Sequence, residues 1–252
     1  MQLVTWICFA KQSIAKPNEF SATAVALGGP MFLWFSAEPN ASKAQIAMLV
    51  PQEDLERLIS SRRTSKPSWF NDQEPDHAAV RNAIDVARKA PNHHRTEPAR
   101  FYLLDKSRIR EVGRLFGEIV AGDSPDEFLS ERAVKKTEEW GSSPGLIVVT
   151  CFTDHSSALV ASKPAVIEED YSTCACICQN LLLLLHNLDI ATKWSTGPVW
   201  KHPDFRKVVG IPNAPPDERV IALIFYGHTE KIAPSPTYSP LEEKLSDHPN
   251  PS

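Results

Sequence analysis

Five leucines in a row, Leu181 to Leu185, lie inside a helical stretch from about Tyr171 to Leu188. At 3.6 residues per turn, five successive apolar side chains leave no polar face. A helix that is apolar all round has to be buried, either in a domain core or against a second subunit. Gln179, Asn180 and His186 interrupt it, and at roughly 18 residues it makes a poor membrane span. The rest of the chain must therefore supply layers that cover this helix. Asp170, just before the stretch, reads as its N-cap, with Glu168-Glu169 in a solvated loop ahead of it.

Pro51 opens a helix with Glu53 and Asp54 in its first turn and Leu55, Leu58 and Ile59 on one face. It gives way to the polar run Ser60–Lys66 and stops at Pro67. A second helix is predicted from about Pro75 to Ala90, on the spacing of Val80, Ala83, Ile84 and Ala87. Arg100–Leu104, Gly145–Phe152 and Arg219–Tyr226 read as strands, with a short strand or turn at Thr192–Gly197. Helices are predicted near Ser107–Val120, Pro125–Trp140 and Pro203–Val209. Charge on most faces of Pro125–Trp140 suggests an exposed lid. The strands are separated by helices, which points to an α+β class.

Composition excludes more than it identifies. A net charge of −4 argues against a nucleic-acid binder, which needs clustered cations for phosphate. No G-x-G-x-x-G follows a strand, and P-loop, G-x-S-x-G and H-E-x-x-H motifs are missing from the sequence. Five cysteines do not form a disulfide framework. Cys174, Cys176 and Cys178, two apart on a helix, are badly spaced for one zinc site and read as packing residues in a reducing compartment.

Residues 1–50 differ from the rest. They carry no arginine, and Phe20 to Ala37 is uncharged. Gly28-Gly29-Pro30 interrupts that run. The stretch reads as an extension of targeting, anchoring or disordered type, so membrane association stays open and the compartment is cytoplasmic or organellar, mitochondrion or plastid. Residues 51–232 form the folded domain. Residues 233–252 form an extended Pro-rich tail.

Three segments in this order resemble the nitroreductase-like FMN family. Arg62-Arg63-Thr64-Ser65-Lys66 follows the opening helix and is similar to the family's R-R-(S/T)-x-(R/K). Ala90-Pro91-Asn92-His93-His94-Arg95-Thr96-Glu97-Pro98, then Phe101, is similar to A-P-(S/D)-x-x-x-x-(Q/E)-P-x-x-F. Gln179-Asn180-Leu181-Leu182 leads to Lys193-Trp194-Ser195-Thr196-Gly197, similar to the W-(R/S)-(S/T)-G turn of small bacterial members. Tyr226-Gly227 closes the last strand as the family does. The resemblance covers about Leu55 to Lys231 and departs at Ala99, where most members carry Trp.

What the resemblance implies is a nitroreductase-like fold, with a central mixed or antiparallel sheet flanked by helices, and a homodimer with FMN at its interface. It implies an FMN site of Arg62, Arg63 and Thr64 at the phosphate, Lys66 and Lys89 at the N1/O2 edge, and His93 against the ring or ribityl chain. Trp194, Ser195, Thr196 and Gly197 would form the turn whose backbone reaches N5 or O4. The chemistry agrees: a phosphate needs fixed cations and hydroxyl donors, and reduction of the ring leaves negative charge that a lysine stabilises. The implied activity is a ping-pong transfer from NADH or NADPH to an electron-poor small molecule, such as a nitroaromatic or quinone. No protein nucleophile and no metal centre are expected. Two rival readings remain. Thr96-Glu97-Pro98 matches the iodotyrosine deiodinase subgroup, a flavin-dependent reductive dehalogenase, although Arg114–Trp140 holds no Tyr for its substrate clamp. A non-catalytic flavin-binding scaffold is the other, suggested by Ala99 and Arg95.

Overall fold

The computed structural model describes residues 50–122 and 127–246. The expectations for residues 1–49 and for the last residues of the tail lie outside that range.

Four strands form one antiparallel sheet in the order β1-β2-β4-β3. They are β1 (Ala99–Leu103), β2 (Gly145–Phe152), β3 (Ala191–Ser195) and β4 (Glu218–Gly227). β2 is buried along almost its whole length because both faces are covered. The expected strand or turn after the leucine helix is thus a true edge strand. Its outer side is met by one parallel bridge, Thr64 to Thr192.

One face of the sheet is covered by α2 (His77–Ala87) and α6 (Val166–Asn187). Val80, Ala83 and Ala87 of α2 and Ile177, Leu181 and Leu185 of α6 pack there on Ile147, Val149 and Ile224. Leu183 and Leu184 are both half-buried, so part of the leucine run lies at the margin of this core. The first helix, α1 (Gln52–Ser61), buries none of its residues and leaves Leu55 and Ile59 about half exposed.

The opposite face carries α3 (Lys106–Ala121) and α4 (Glu127–Gly141), and further along it α7 (Phe205–Val209). Here the sequence expectation needs correcting, because α4 is not a free lid over its whole length. α3 and α4 form a close hairpin in which a Cβ on Gly113 would fall 2.5 Å from the Thr137 carbonyl, and one on Gly117 would strike the Thr137 hydroxyl. Trp140, at the end of α4, stacks on Phe116 (3.9 Å) and meets Phe225 (4.9 Å). The charges sit on the outer surface, while Ala133 and Trp140 are buried.

A second correction concerns α6. It begins at Val166, not after Asp170, so Glu168 and Glu169 occupy its first turn. A short helix that was not anticipated, α5 (Ala158–Ser162), precedes it with Ser157 as N-cap. Asp170 is a buried residue inside α6 (1% exposed). Of the three clustered cysteines, Cys174 and Cys178 are buried one turn apart, but Cys176 points out and is exposed. Among the described residues no helix is long and apolar enough to cross a membrane.

Candidate functional site

The segment after α1 is extended and docks on the sheet edge. Ser65 donates its N–H to the Thr192 carbonyl at 2.9 Å. An extended chain turns alternate side chains to opposite sides. Ser65 and Pro67 are accordingly buried, whereas Thr64 and Lys66 are exposed. The same alternation groups Arg62 with Thr64 and Lys66. Arg63 lies on the other side, where its guanidinium donates to the Ser60 carbonyl (2.5 Å), the Arg62 carbonyl (2.8 Å) and Ser235 Oγ of the tail (2.9 Å). The two arginines therefore do not form one fork.

Arg63 borders a small cavity of about 160 Å³ shared with Ser61, Ser65, His186, Thr229 and Lys231. Ser61 Oγ lies 2.9 Å from His186 Nε2. Burial, followed by the charges of Arg62 and Arg63, pushes the His186 pKa below its ordinary value. Cations and hydroxyl donors around a cavity of this kind suit a phosphate, although Asp189 also lines it. Lys231, Thr229 and His186 were not singled out from the sequence. A lysine just past the last strand, beside an arginine after the first helix, is a pairing that only the fold makes visible.

Along β3 the side chains alternate between the two faces. Trp194 packs on the α2/α6 side. Lys193, opposite Phe225, faces α4, with Nζ 3.6 Å from Glu139 Oε1 and 5.8 Å from the Trp140 ring. Burial lowers the Lys193 pKa although Glu139 opposes the shift; Lys136 and Lys66 lower it further. Lys66, whose Nζ also stands 5.8 Å over the Trp69 ring, and Lys193 thus feel each other's charge. Two buried polar atoms here have no hydrogen-bond partner in the protein, Trp194 Nε1 and Ser195 Oγ. Thr196 is exposed, and Gly197 is extended, with open space where a Cβ would project.

Lys89 and His93 belong to a second group. Lys89 is exposed and borders a cavity of about 360 Å³ with Arg88, Arg95 and Arg100 over a floor of Ala99, Phe101 and Ile177. His93 is exposed; its Nδ1 lies 2.9 Å from Glu169 Oε2, and its ring stacks on His94 at 4.0 Å. Three residues of this loop have left-handed backbones, His94 (φ 62°), Arg95 (φ 54°) and Glu97 (φ 47°). Such conformations are costly for residues with a Cβ and persist only when the surroundings enforce them. The enforcing groups are polar. Asn92 Oδ1 accepts from the Thr96 N–H at 2.9 Å, and Thr96 Oγ1 donates to Asp170 Oδ1 at 2.5 Å. Thr153 Oγ1 donates to the other Asp170 oxygen at 2.6 Å, and Thr173 Oγ1 to the Pro91 carbonyl at 3.0 Å.

The structure brings Arg62, Arg63, Thr64 and Lys66 together with β3, and Lys89 together with the His93 loop. No hydrogen bond or ion pair among the described residues joins the two groups. The first touches α6 at His186 and the second at Glu169 and Asp170. At 1.5 Å per residue these contacts lie roughly 25 Å apart along the helix.

A model of the nitroreductase family matches residues 59–228. A Bacillus subtilis (strain 168) protein, provisionally named NAD(P)H nitroreductase YfhC, is 22% identical over 194 residues, covering 77% of this chain and 93% of the relative. Among solved structures, a nitroreductase-like family protein from Bacillus cereus superimposes with a TM-score of 0.64 at 20% identity, over 80% of this chain and 100% of that one. A Bacteroides fragilis nitroreductase with bound FMN gives 0.57 at 17% identity, over 74% and 95%. An oxidised iodotyrosine deiodinase bound to FMN and 3-iodo-L-tyrosine gives 0.54 at 18% identity, over 79% and 100%.

Proposed function

The chain belongs to the nitroreductase family, and from that premise we propose that it is an FMN-dependent NAD(P)H oxidoreductase acting on electron-poor small molecules. One observation carries the reading. Arg62, half-buried, and Thr64 and Lys66, both exposed, form a row beside β3 and make no ion pair among the described residues, and the strand they flank carries a buried Ser195 hydroxyl that lacks a partner. A buried hydroxyl left without a partner costs free energy, and a bound polar group removes that cost. The donor set fits FMN: fixed cations for its phosphate, hydroxyls for its polar edges, and open space at Gly197.

The chemistry FMN supplies when bound is two-electron hydride transfer from a nicotinamide to an acceptor. The chain's own residues bind and orient. Arg62 and Thr64 hold the phosphate end, while Arg63 lies on the other side of the segment, beside the smaller cavity with Lys231. Lys66 places positive charge where the ring gains negative charge, and Lys193, missed from the sequence, adds a second ammonium behind it. His93 meets α6 at Glu169, roughly 25 Å along the helix from His186 in the same chain, while Lys89 lies nearer its middle, beside Ile177. They act on the site of a second copy, which makes the functional unit a homodimer.

The test is spectroscopic. The purified full chain should carry flavin absorbance, take up FMN at one per chain and be bleached anaerobically by NADH or NADPH. A colourless chain that takes up no FMN sinks the proposal. Turnover of a halotyrosine by dithionite-reduced protein would instead favour the deiodinase reading. Tight FMN binding without nicotinamide oxidation by any acceptor would favour a scaffold.

A further inference from the structure

His93, His94 and Glu169 each direct a ligand atom to one spot, and these atoms all lie within 4.8 Å of one another. Two of the three come from adjacent residues, which in ordinary extended or helical backbone diverge. The left-handed turn at His94 is what brings both imidazoles to the same side, where they stack at 4.0 Å with an interplanar angle of 19°. Glu169, in the first turn of α6, closes the triangle at 2.9 Å from His93 Nδ1. The loop backbone is held from behind by Asp170 through Thr96, while His93 and Glu169 remain accessible, with 65% and 36% of their side chains exposed. The three side chains thus meet one another at a solvent-accessible spot on a fixed backbone.

We propose that His93, His94 and Glu169 form a binding site for a borderline divalent transition ion of the zinc or copper class. Two neutral imidazoles and one carboxylate are the donor set such ions take, at bond lengths near 2.0 to 2.2 Å, and water completes the coordination. Closing the triangle needs only side-chain rotation, because ligand atoms around such an ion stand roughly 3 Å apart. The site is separate from the row at Arg62–Lys66 and does not rest on the flavin reading. If His93 also reaches a partner's flavin, the ion would compete with that contact.

The experiment is a calorimetric titration of the metal-free full chain with zinc chloride, with and without added FMN. One saturable equivalent per chain is expected. His94→Asn, which tolerates the left-handed backbone but removes the imidazole, and Glu169→Gln should each weaken binding by about 10-fold to 100-fold. Cys176→Ser and His155→Asn should leave it unchanged, since the exposed thiol and the His155–Asp217 pair lie outside the site. Three results would overturn the proposal: no saturable zinc binding, undiminished binding in both His94→Asn and Glu169→Gln, or loss of binding in Cys176→Ser instead.

Discussion

Two basic loops, each following a helix, carry the candidate functional groups, and they are built on opposite plans. Arg62–Lys66 is extended, anchored by one bridge and one hydrogen bond to the sheet edge, and its side chains alternate between two environments. Asn92–Glu97 is bent through three left-handed residues and tied to a carboxylate buried inside a helix. In the first loop each residue makes its own contact, so substitutions should act singly. In the second the loop's tie to the helix runs through Thr96 to one buried carboxylate, which Thr153 also holds, so the loop should respond as a unit. The difference separates a surface that offers charge from a scaffold that fixes direction.

Asp170→Ala should have the largest effect. It removes the acceptor for both Thr96 and Thr153 at a buried position and releases the strained loop. Hydrogen bonds to a charged group contribute about 1.5 to 3 kcal/mol each, so a loss of roughly 3 kcal/mol in urea unfolding is expected. For a domain of this size that corresponds to a fall in Tm of roughly 10 °C. A loss under about 1 kcal/mol would mean that the loop holds its own shape, and the contrast between the loops would fail.

On the extended loop the substitutions should dissociate from one another. Arg62→Ala should weaken FMN binding by about 10-fold or more, from the loss of a charge-assisted contact, in a fluorescence titration. Lys66→Ala should change affinity less and mainly slow reduction by the nicotinamide in stopped flow. Equal loss of binding in both variants would overturn the division into a phosphate end and a ring-edge end.

How much of this was legible in the sequence depended on where the signal lay. β2 was read at its observed limits because a continuous apolar run flanked by Gly145 has little choice. The leucine run correctly demanded a covered helix. Its start was misplaced because Asp170, an acid ahead of an apolar stretch, has the signature of an N-cap. Only tertiary contact shows its partners to be Thr96 and Thr153, 74 and 17 residues away. The α3–α4 hairpin was misread for a related reason. Charge density marks the outer face, while the close approach is written in two glycines, Gly113 and Gly117, whose partner residue sits on the other helix. Lys193, quoted ahead of the Trp194–Gly197 turn, and Lys231, quoted as the end of the resemblance, received no site role because a lysine's value comes from neighbours the fold supplies.

Lys193 also allows the edge strand to be tested by pH. Its pKa is lowered, so between that lowered value and the ordinary one near 10.4 the unfolded chain binds more protons than the folded chain. Stability contributed by this residue therefore rises with pH through that window. Tyr102 and Tyr226, both pushed up to about 12 by burial, act oppositely at higher pH. The readout is consequently the difference between wild type and Lys193→Met in denaturant midpoints from pH 8 to about 10. Wild type should gain on the variant as pH rises. A flat difference would place Lys193 in solvent rather than behind the site.

The smallest effect should be the most diagnostic of the two plans, because one substitution should be costly in one and not in the other. Glycine adopts positive φ without the Cβ clash that costs other residues about 1 kcal/mol or more. His94→Gly should therefore relieve strain at φ 62°, partly offset by the greater freedom glycine gives the unfolded chain. The net change should be slightly stabilising or near zero. Thr64→Gly, in extended backbone bridged to Thr192, relieves nothing, loses a β-branched side chain suited to a sheet edge, and should cost about 1 kcal/mol. Paired urea denaturation of the two variants reads the difference directly. If both destabilise equally, the left-handed turn is not a reservoir of strain. The stacking of His93 on His94 would then have to come from the rings themselves rather than from a backbone held by Asp170.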